Sequence, residues 1–561
     1  MDKGNSKPTV FVRQATGLVR SMNWIDLVFL NVVSFGGAWS IIYALVYAPY
    51  YGGDPAVSLL LTAPGILCLL GVYYVFNTSM PRSGGDYVYT SRVLHPAIGF
   101  AANFVGYTLF LWFWIGDAAS VFTSNGLYQT LSVYGSLTHA SWTSGLFSLF
   151  GASTNNFAIG LAALVIFAVI VIASPRLYFR IQNVLMAIAV VSLAIIVVLL
   201  LIALSNPATF QNNFNSYANS IGANLTPNAY QNLTQSGALN GTSASPSNWQ
   251  GDLLLIPLWF TVLFWVFVSN YLGGETKQVN STAKKALFGS FAIIFIATIA
   301  ILETAYYALG YNFLIGAANV YYAGTGVLGA PPNLTLFAGI LANNAPLVLF
   351  LGIGIISGFM LVAPQSMILM SRILFAYSFD RVAPSWLADV NPRFSTPVKA
   401  TIVALVGGAV MLAFLSGFVG GVGSSFQSTA LALYTWAGLA TIGLTFTFVS
   451  ISGIVFPYHR KSLYEASATV KRKIAGIPLI TWLGIVSLVY SLATVIWYSY
   501  DQVFYLFPCA PGNVTSCNYN YYLVAIVALF FGAMAYYFVI RSYRMSKGIP
   551  FNMAFSEIPP E

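Results

Sequence analysis

The sequence predicts an all-α integral membrane protein of about twelve transmembrane helices. Three observations lead there. Of 561 residues, 58% are hydrophobic and only 7% charged, against roughly 25% charged in an ordinary soluble domain. Such a chain could not cover its own surface in water, and lipid is its natural solvent. Apolar runs of roughly 20 residues, the length that crosses a bilayer, recur along the whole chain with no polar linker to split it. The basic residues, finally, fall into alternate connecting segments, as the orientation bias of membrane proteins requires.

The apolar runs place the spans at 25–51, 56–77, 98–124, 157–174, 181–205, 252–272, 286–310, 346–376, 398–418, 428–456, 478–501 and 521–541. With the N-terminus inside, all 23 Lys and Arg residues lie on the inner side. They begin with Lys3 and Arg20, continue through Arg82, Arg92, Arg176, Arg180, Lys277 and Lys285, and end beyond Arg541. One missed or extra span would scramble this parity, so the count and the N-in, C-in orientation support each other. A multi-pass protein of the plasma membrane with both termini cytoplasmic is expected. The net charge of +9 has the same cause, and no nucleic-acid partner is expected. From the polar first 20 residues and the long, interrupted first apolar run, no cleavable signal peptide is expected.

The outer segments look different. The longest, 206–251, is rich in Asn, Ser, Thr and Gly and carries the sequons Asn224-Leu225-Thr226, Asn232-Leu233-Thr234 and Asn240-Gly241-Thr242. Asn333-Leu334-Thr335 and Asn513-Val514-Thr515 also fall outside. Cys509 and Cys517 share one short outer loop, where an oxidising exterior permits a disulfide. Cys68 lies in an apolar run. The outer face has few ionisable groups, chiefly Asp54, Asp252, Asp501 and His139.

Within the first span stands Asn31-Val32-Val33-Ser34-Phe35-Gly36-Gly37-Ala38. Paired glycines near mid-membrane weaken a helix and admit a ligand close to the backbone. A break there would expose helix-end N–H groups to a carboxylate and free carbonyls to an ammonium or cation. A small-residue packing patch between helices is the alternative. Two acids lie inside the membrane, Asp117 in the third span and Glu303 in the seventh. Intramembrane ionisable groups are costly and functional by default. These two would relay protons or bind a cationic substrate, unless each is merely hydrogen-bonded or reaches outer water. Asp26 and Asp501, near span ends, read as solvated.

Three connecting segments on the inner side carry further patterns. The second span is followed by Met80-Pro81-Arg82-Ser83-Gly84-Gly85-Asp86-Tyr87-Val88-Tyr89, and the sixth by Gly274-Glu275-Thr276-Lys277-Gln278. The eighth runs into Ser371-Arg372-Ile373-Leu374-Phe375-Ala376-Tyr377-Ser378-Phe379-Asp380-Arg381-Val382-Ala383-Pro384. In order and spacing these segments resemble the amino acid–polyamine–organocation superfamily of permeases, as does the glycine pair of the first span.

The resemblance implies a LeuT-type fold: a 5+5 inverted repeat plus two extra helices, with broken first and sixth helices. The boundaries are then a single domain over 1–561, with a cytoplasmic tail 1–20, a first five-helix repeat 25–205 and an extracellular loop 206–251. A second repeat 252–456, two additional helices 478–541 and a cytoplasmic tail 542–561 complete it. Substrate would bind at mid-membrane. The backbone N–H groups of Ser34, Phe35, Gly36 and Gly37 would meet its carboxylate, and the carbonyls of Asn31, Val32 and Val33 its ammonium.

The sixth span departs from the family pattern, since Phe264-Trp265-Val266-Phe267 stands where a glycine-containing break is usual. Trp259, Phe260, Phe264 and Trp265 are candidates for a gate or side-chain pocket, or else pack in a core helix. The fifth span lacks the lysine that some proton-coupled members carry, with Val190 near its place. The coupling ion is therefore open between a proton and Na+, the latter with Ser357 as a candidate ligand. Arg82, Asp86, Glu275, Arg372 and Asp380 are candidates for a cytoplasmic gate of ion pairs.

The function so implied is a secondary active transporter of amino acids working by alternating access, cation-coupled or exchanging. A polyamine or other amine carrier and a non-transporting sensor are the alternatives. An enzyme would need clustered catalytic groups, whereas His95, His139 and His459 fall in separate loops without metal-type spacing. A channel would need repeated filter segments. The expected partners are a small-molecule amino acid or amine and membrane lipid, with no resident cofactor. The oligomeric state is left unassigned.

Overall fold

The computed structural model describes residues 20–34, 53–223, 228–239, 249–322, 332–419, 437–467, 471–500 and 519–549, together with Leu45, Leu225, Leu328, Phe551 and Phe555. Among them, eleven helices are long and apolar enough to cross a membrane, and they coincide with the second to twelfth expected spans. The first begins as the helix Trp24–Ser34. Its glycine pair, the Cys509 and Cys517 loop, Asp501 and the asparagines of the sequons at 224, 240 and 513 lie outside the described residues.

The outward faces show why lipid is the solvent. On the fifth span, Pro175–Ser205, the side chains of Val184, Val191 and Val198 are exposed at seven-residue intervals, while Met186, Ala189, Ser192, Ile196 and Leu200 are buried. A helix repeats nearly every seven residues, so one stripe faces outward and is wholly apolar. Water would not tolerate that stripe, and similar ones run along the fourth, ninth, eleventh and twelfth spans.

Three elements depart from the expected outline. The third span runs from Pro96 to Thr138 as one apolar rod, well past the expected 98–124, with π turns at Phe104–Thr108 and Phe122–Tyr128. At the first π turn the tenth span docks: the Thr441 hydroxyl donates to the Gly106 carbonyl, and Thr445 Oγ1 to that of Ala102 at 3.1 Å.

The sixth span is α-helical over Trp249–Leu263 and then tightens into a 3-10 helix over Phe264–Tyr271. The break therefore needs no glycine. A switch from i−4 to i−3 bonding alters which backbone groups are free, and eight residues exceed the usual 3-10 run, a mark of a hinge or a strained sequence.

The outer segment 206–251, expected as a polar loop, carries two helices, Pro207–Ser220 and Ala229–Leu239. The second crosses Tyr311–Tyr322 at a pair of glycines. A Cβ added at Gly316 would fall 1.9 Å from the Leu233 carbonyl oxygen, and one at Gly237 1.9 Å from that of Asn312. Phe210, Phe214, Tyr230, Phe313 and Phe337 fill the space beneath. The sequon at Asn333 is sequestered in the same cap. Its side chain is buried, accepts from the Leu336 N–H at 3.2 Å and donates to Gln129 at 2.8 Å.

The crossing makes a direct expectation. Gly316→Ala forces backbone apart and is expected to lower stability by about 1–3 kcal/mol, seen as a lower thermal unfolding midpoint of the purified protein. Gly532→Ala, with nothing within 4 Å of the added carbon, leaves the midpoint unchanged or slightly raised.

Candidate functional site

The segment before the first span and the segment after the sixth are zipped together. The N–H groups of Ser21 and Met22 donate to the Glu275 carbonyl at 3.1 and 3.2 Å, and Lys277 N–H donates to the Met22 carbonyl at 3.1 Å. Arg20 Nε adds a bond to the Gly274 carbonyl at 3.3 Å. The side chain of Glu275 points the other way and takes a two-pronged bond from Arg372 of the eighth span, with Nε to Oε1 at 2.8 Å and Nη2 to Oε2 at 3.0 Å. Both side chains are almost wholly buried, at 1% and 2% exposure. Arg92 and Asp380 form a second buried fork at 2.5 and 2.6 Å. Two-pronged Arg–carboxylate pairs are the strong and directional kind.

Between these pairs lies the turn after the second span. Gly84 and Gly85 both have positive φ, 110° and 54°, which L side chains rarely adopt. A Cβ at Gly85 would sit 2.9 Å from the Tyr271 ring. The bare backbone thus lets Tyr271 approach, and its hydroxyl donates to the Asp86 carboxylate. Asn103 Nδ2 donates to the same carboxylate at 2.8 Å. The Tyr377 hydroxyl donates to Asn103 Oδ1 and lies 2.9 Å from Thr108 Oγ1. One buried network so joins the turn, the third, the sixth and the eighth spans. Arg82 is buried with its guanidinium 5.1 Å above the Phe379 ring.

Deeper in the bundle, the side chain of Asn31 is a staple. It donates to the Ala286 carbonyl at 3.1 Å and to Ser290 Oγ at 3.2 Å, both on the seventh span, and accepts from the Ser269 N–H of the 3-10 segment at 2.9 Å. Gln365 of the eighth span donates to the Leu30 carbonyl at 2.8 Å. Val32 and Val33 are buried beside it. Trp265 stacks against Phe110 and Trp114 of the third span, each at 5.3 Å between ring centroids. Phe260 is buried near Phe446 of the tenth span, and Trp259 donates to Ser58 Oγ at 2.6 Å. Ser357 is buried and its hydroxyl donates back to the Ile353 carbonyl at 2.7 Å.

The two intramembrane acids have different surroundings. Glu303 is half-buried and accepts from the Ala56 N–H at 3.1 Å, while Asp252 accepts from the Asp54 N–H at 2.6 Å. Asp54 itself caps the second span through the Val57 N–H at 3.0 Å. Three carboxyl groups thus meet the positive end of one helix. Asp117 is buried and has no hydrogen-bond or ion-pair partner among the described residues. It follows Phe110 and Trp114 at helical spacing, so it shares the face that packs on Trp265.

Of the five gate candidates, the structure joins Glu275 with Arg372. Asp380 pairs with Arg92, a residue the sequence reading placed only as an inner cation. Asp86 is held by neutral donors. Asp26, expected to be solvated, is buried, and its carboxylate accepts from Asn183 Nδ2 at 2.9 Å. Asn103, Tyr271 and Gln365 went unnoticed in the sequence, where the only signal was polarity inside apolar runs, and Tyr377 stood in the quoted segment after the eighth span without a role.

Burial pushes the Asp86 carboxyl up to about 6, against the pull of the Tyr271 and Asn103 hydrogen bonds. A folded value above the unfolded one stabilises the fold at low pH, and that contribution is lost as pH rises from about 4 through about 6. The wild-type protein is expected to lose about 3 kcal/mol over this range. Asp86→Asn, which cannot titrate and keeps an acceptor for only one of the two donors, should flatten that part of the pH profile in thermal unfolding while lowering the midpoint overall.

Comparison with known proteins agrees with this architecture. A family model described as amino acid permease matches residues 22–531. An uncharacterized amino-acid permease of Schizosaccharomyces pombe is 38% identical over 103 residues, covering 18% of this chain and 18% of that relative. The aligned stretch is thus less than a fifth of the relative's length. On the match across residues 22–531, the chain belongs to the amino acid permease family, within the amino acid–polyamine–organocation superfamily, and so to a family of transporters rather than enzymes.

Proposed function

We propose that the chain carries amino acids across the plasma membrane by alternating access, with both termini cytoplasmic. The observation that supports this most is the pairing of the first and sixth spans. The sixth span abandons α geometry at Phe264, and Asn31 of the first span binds the backbone of that same segment. Free backbone groups survive inside a membrane only where they face protein or a cavity. They are the groups a zwitterion requires.

In this reading the substrate carboxylate meets the N–H groups of Ser34, Phe35, Gly36 and Gly37. Its ammonium meets the carbonyls of Asn31, Val32 and Val33. Phe260, Phe264 and Trp265 line the side-chain pocket, with Phe110 and Trp114 behind Trp265. The gate at the cytoplasmic end consists of Glu275 with Arg372, Asp380 with Arg92, and Asp86 and Arg82 between them. Opening inward requires the zipper of 21–22 with 275–277 to part from the eighth span. Coupling runs through a proton on Asp117, or through Na+ held by first-span carbonyls and Ser357, while Glu303 serves the outer clamp. An amine substrate is the second reading. The buried Asp117, unpartnered among the described residues, supports it, because a carboxylate facing the pocket would hold a second ammonium.

The test is uptake of a panel of labelled amino acids and polyamines into liposomes containing the purified protein, under an imposed pH or sodium gradient. Accumulation of an amino acid that is driven by a proton gradient and lost in Asp117→Asn is the expected result. Absence of accumulation and of exchange from preloaded liposomes would overturn transport in favour of sensing. At the inner end, Glu275→Gln leaves Arg372 buried without its charge partner, at a cost of about 3–5 kcal/mol. It is expected to cut uptake at least tenfold while raising cytoplasmic accessibility to thiol reagents at engineered cysteines.

A further inference from the structure

Where the first, fifth and sixth spans meet the basic side of the bundle, a cavity of about 360 Å³ opens outward, lined by Asn23, Asp26, Arg176, Arg180, Asn183 and Lys277 among others. The three cations come from two elements. Arg176 and Arg180 occupy the first turns of the fifth span, and Lys277 follows the sixth. All three are exposed, and none has an ion-pair partner among the described residues.

The orientation bias puts basic residues on this side of the bundle, but it does not bring three of them around one cavity without an ion-pair partner among the described residues. The one carboxylate in the wall is already engaged by neutral donors: Asp26 accepts from the Asn23 N–H at 3.1 Å and from Asn183 at 2.9 Å. The acids of neighbouring segments are committed too, Glu275 to Arg372 and Asp380 to Arg92. Arg176 also stands in the first turn of the fifth span, where a cation opposes the helix dipole at about 0.3–1 kcal/mol. An arrangement that is unfavourable by itself becomes favourable once an anion enters. The guanidinium fork suits phosphate oxygens, and a Lys adds a point charge.

The cavity's level is set by its neighbours. Trp24 and Leu177, beside the lining residues, are exposed at 45% and 43%, and a Trp at the start of a span marks the interface between lipid and water.

We propose that this cavity binds a phosphate-bearing anion, drawn either from the headgroup of an anionic lipid or from free phosphate. Bound there, it bridges the start of the first span, the fifth span and the segment after the sixth. It thereby ties the zipped ends to a span outside the zipper.

The experiment uses the full-length protein in nanodiscs and reads the thermal unfolding midpoint. One arm adds phosphatidylglycerol to phosphatidylcholine; the other titrates inorganic phosphate against chloride at equal ionic strength in phosphatidylcholine alone. A midpoint raised by several degrees in the first arm alone assigns the lipid. A rise in the second assigns free phosphate. Either rise is expected to vanish in R176Q/R180Q/K277Q and to persist in K473Q, whose charge is exposed elsewhere. Should the triple variant fail to fold, R180Q alone is expected to raise the half-saturating concentration about tenfold, the loss of one charge-assisted hydrogen bond. No rise in either arm, or a rise undiminished by these substitutions, overturns the proposal.

Discussion

The junction of the first, sixth and eighth spans depends on Glu275 acting in two directions. Its carbonyl receives the backbone of the first span, and its carboxylate receives Arg372 of the eighth. Taking both charges out of water is costly, so the pair adds little net stability over a well-packed apolar contact. What it supplies is geometry. Once buried, each charge demands the other, and the three spans can sit in one relation or separate, with little in between. The Asp86 network repeats the principle with neutral donors, so the same interface is fixed at a second point by groups whose strength changes with protonation.

The outer end is held by different physics. There the sequence provides no Lys or Arg, and the carboxyl groups of Asp54, Asp252 and Glu303 gather on the N–H groups of the second span's first turn. A helix terminus is a partial charge spread over several donors. It tolerates small displacements of its acceptors better than a guanidinium fork does. The two ends of the bundle are accordingly held by different contacts: buried guanidinium–carboxylate forks at one, carboxyl groups on a helix terminus at the other.

Much of this was legible beforehand, for identifiable reasons. Apolar length and the alternation of basic segments report directly on the solvent, so the spans from the second to the twelfth emerged near their places. The Gly84–Gly85 stretch stood out only through the family resemblance; that it is a turn with both glycines at positive φ came from the structure. The sixth span carries no glycine where the family pattern has its break; it leaves α geometry by tightening over Phe264–Tyr271, which leaves no compositional mark. The partner of Asp380 was not readable, because Arg92 lies 288 residues away and any inner cation could have filled the role. The helices within 206–251 were hidden by their Asn-rich composition, since their stability comes from packing on Tyr311–Tyr322 rather than from propensity.

The zipper between the first and sixth spans has a consequence for synthesis. Arg20 and Gly274 are 254 residues apart, and a ribosome adds about 5–20 residues per second. The start of the first span therefore waits on the order of ten seconds or more for its backbone partners. Throughout that interval Asn31 also lacks the seventh span and the 3-10 segment that satisfy it. Until then the polar side chain of Asn31 is without the partners it has in the folded bundle, a cost recovered only when the later spans arrive.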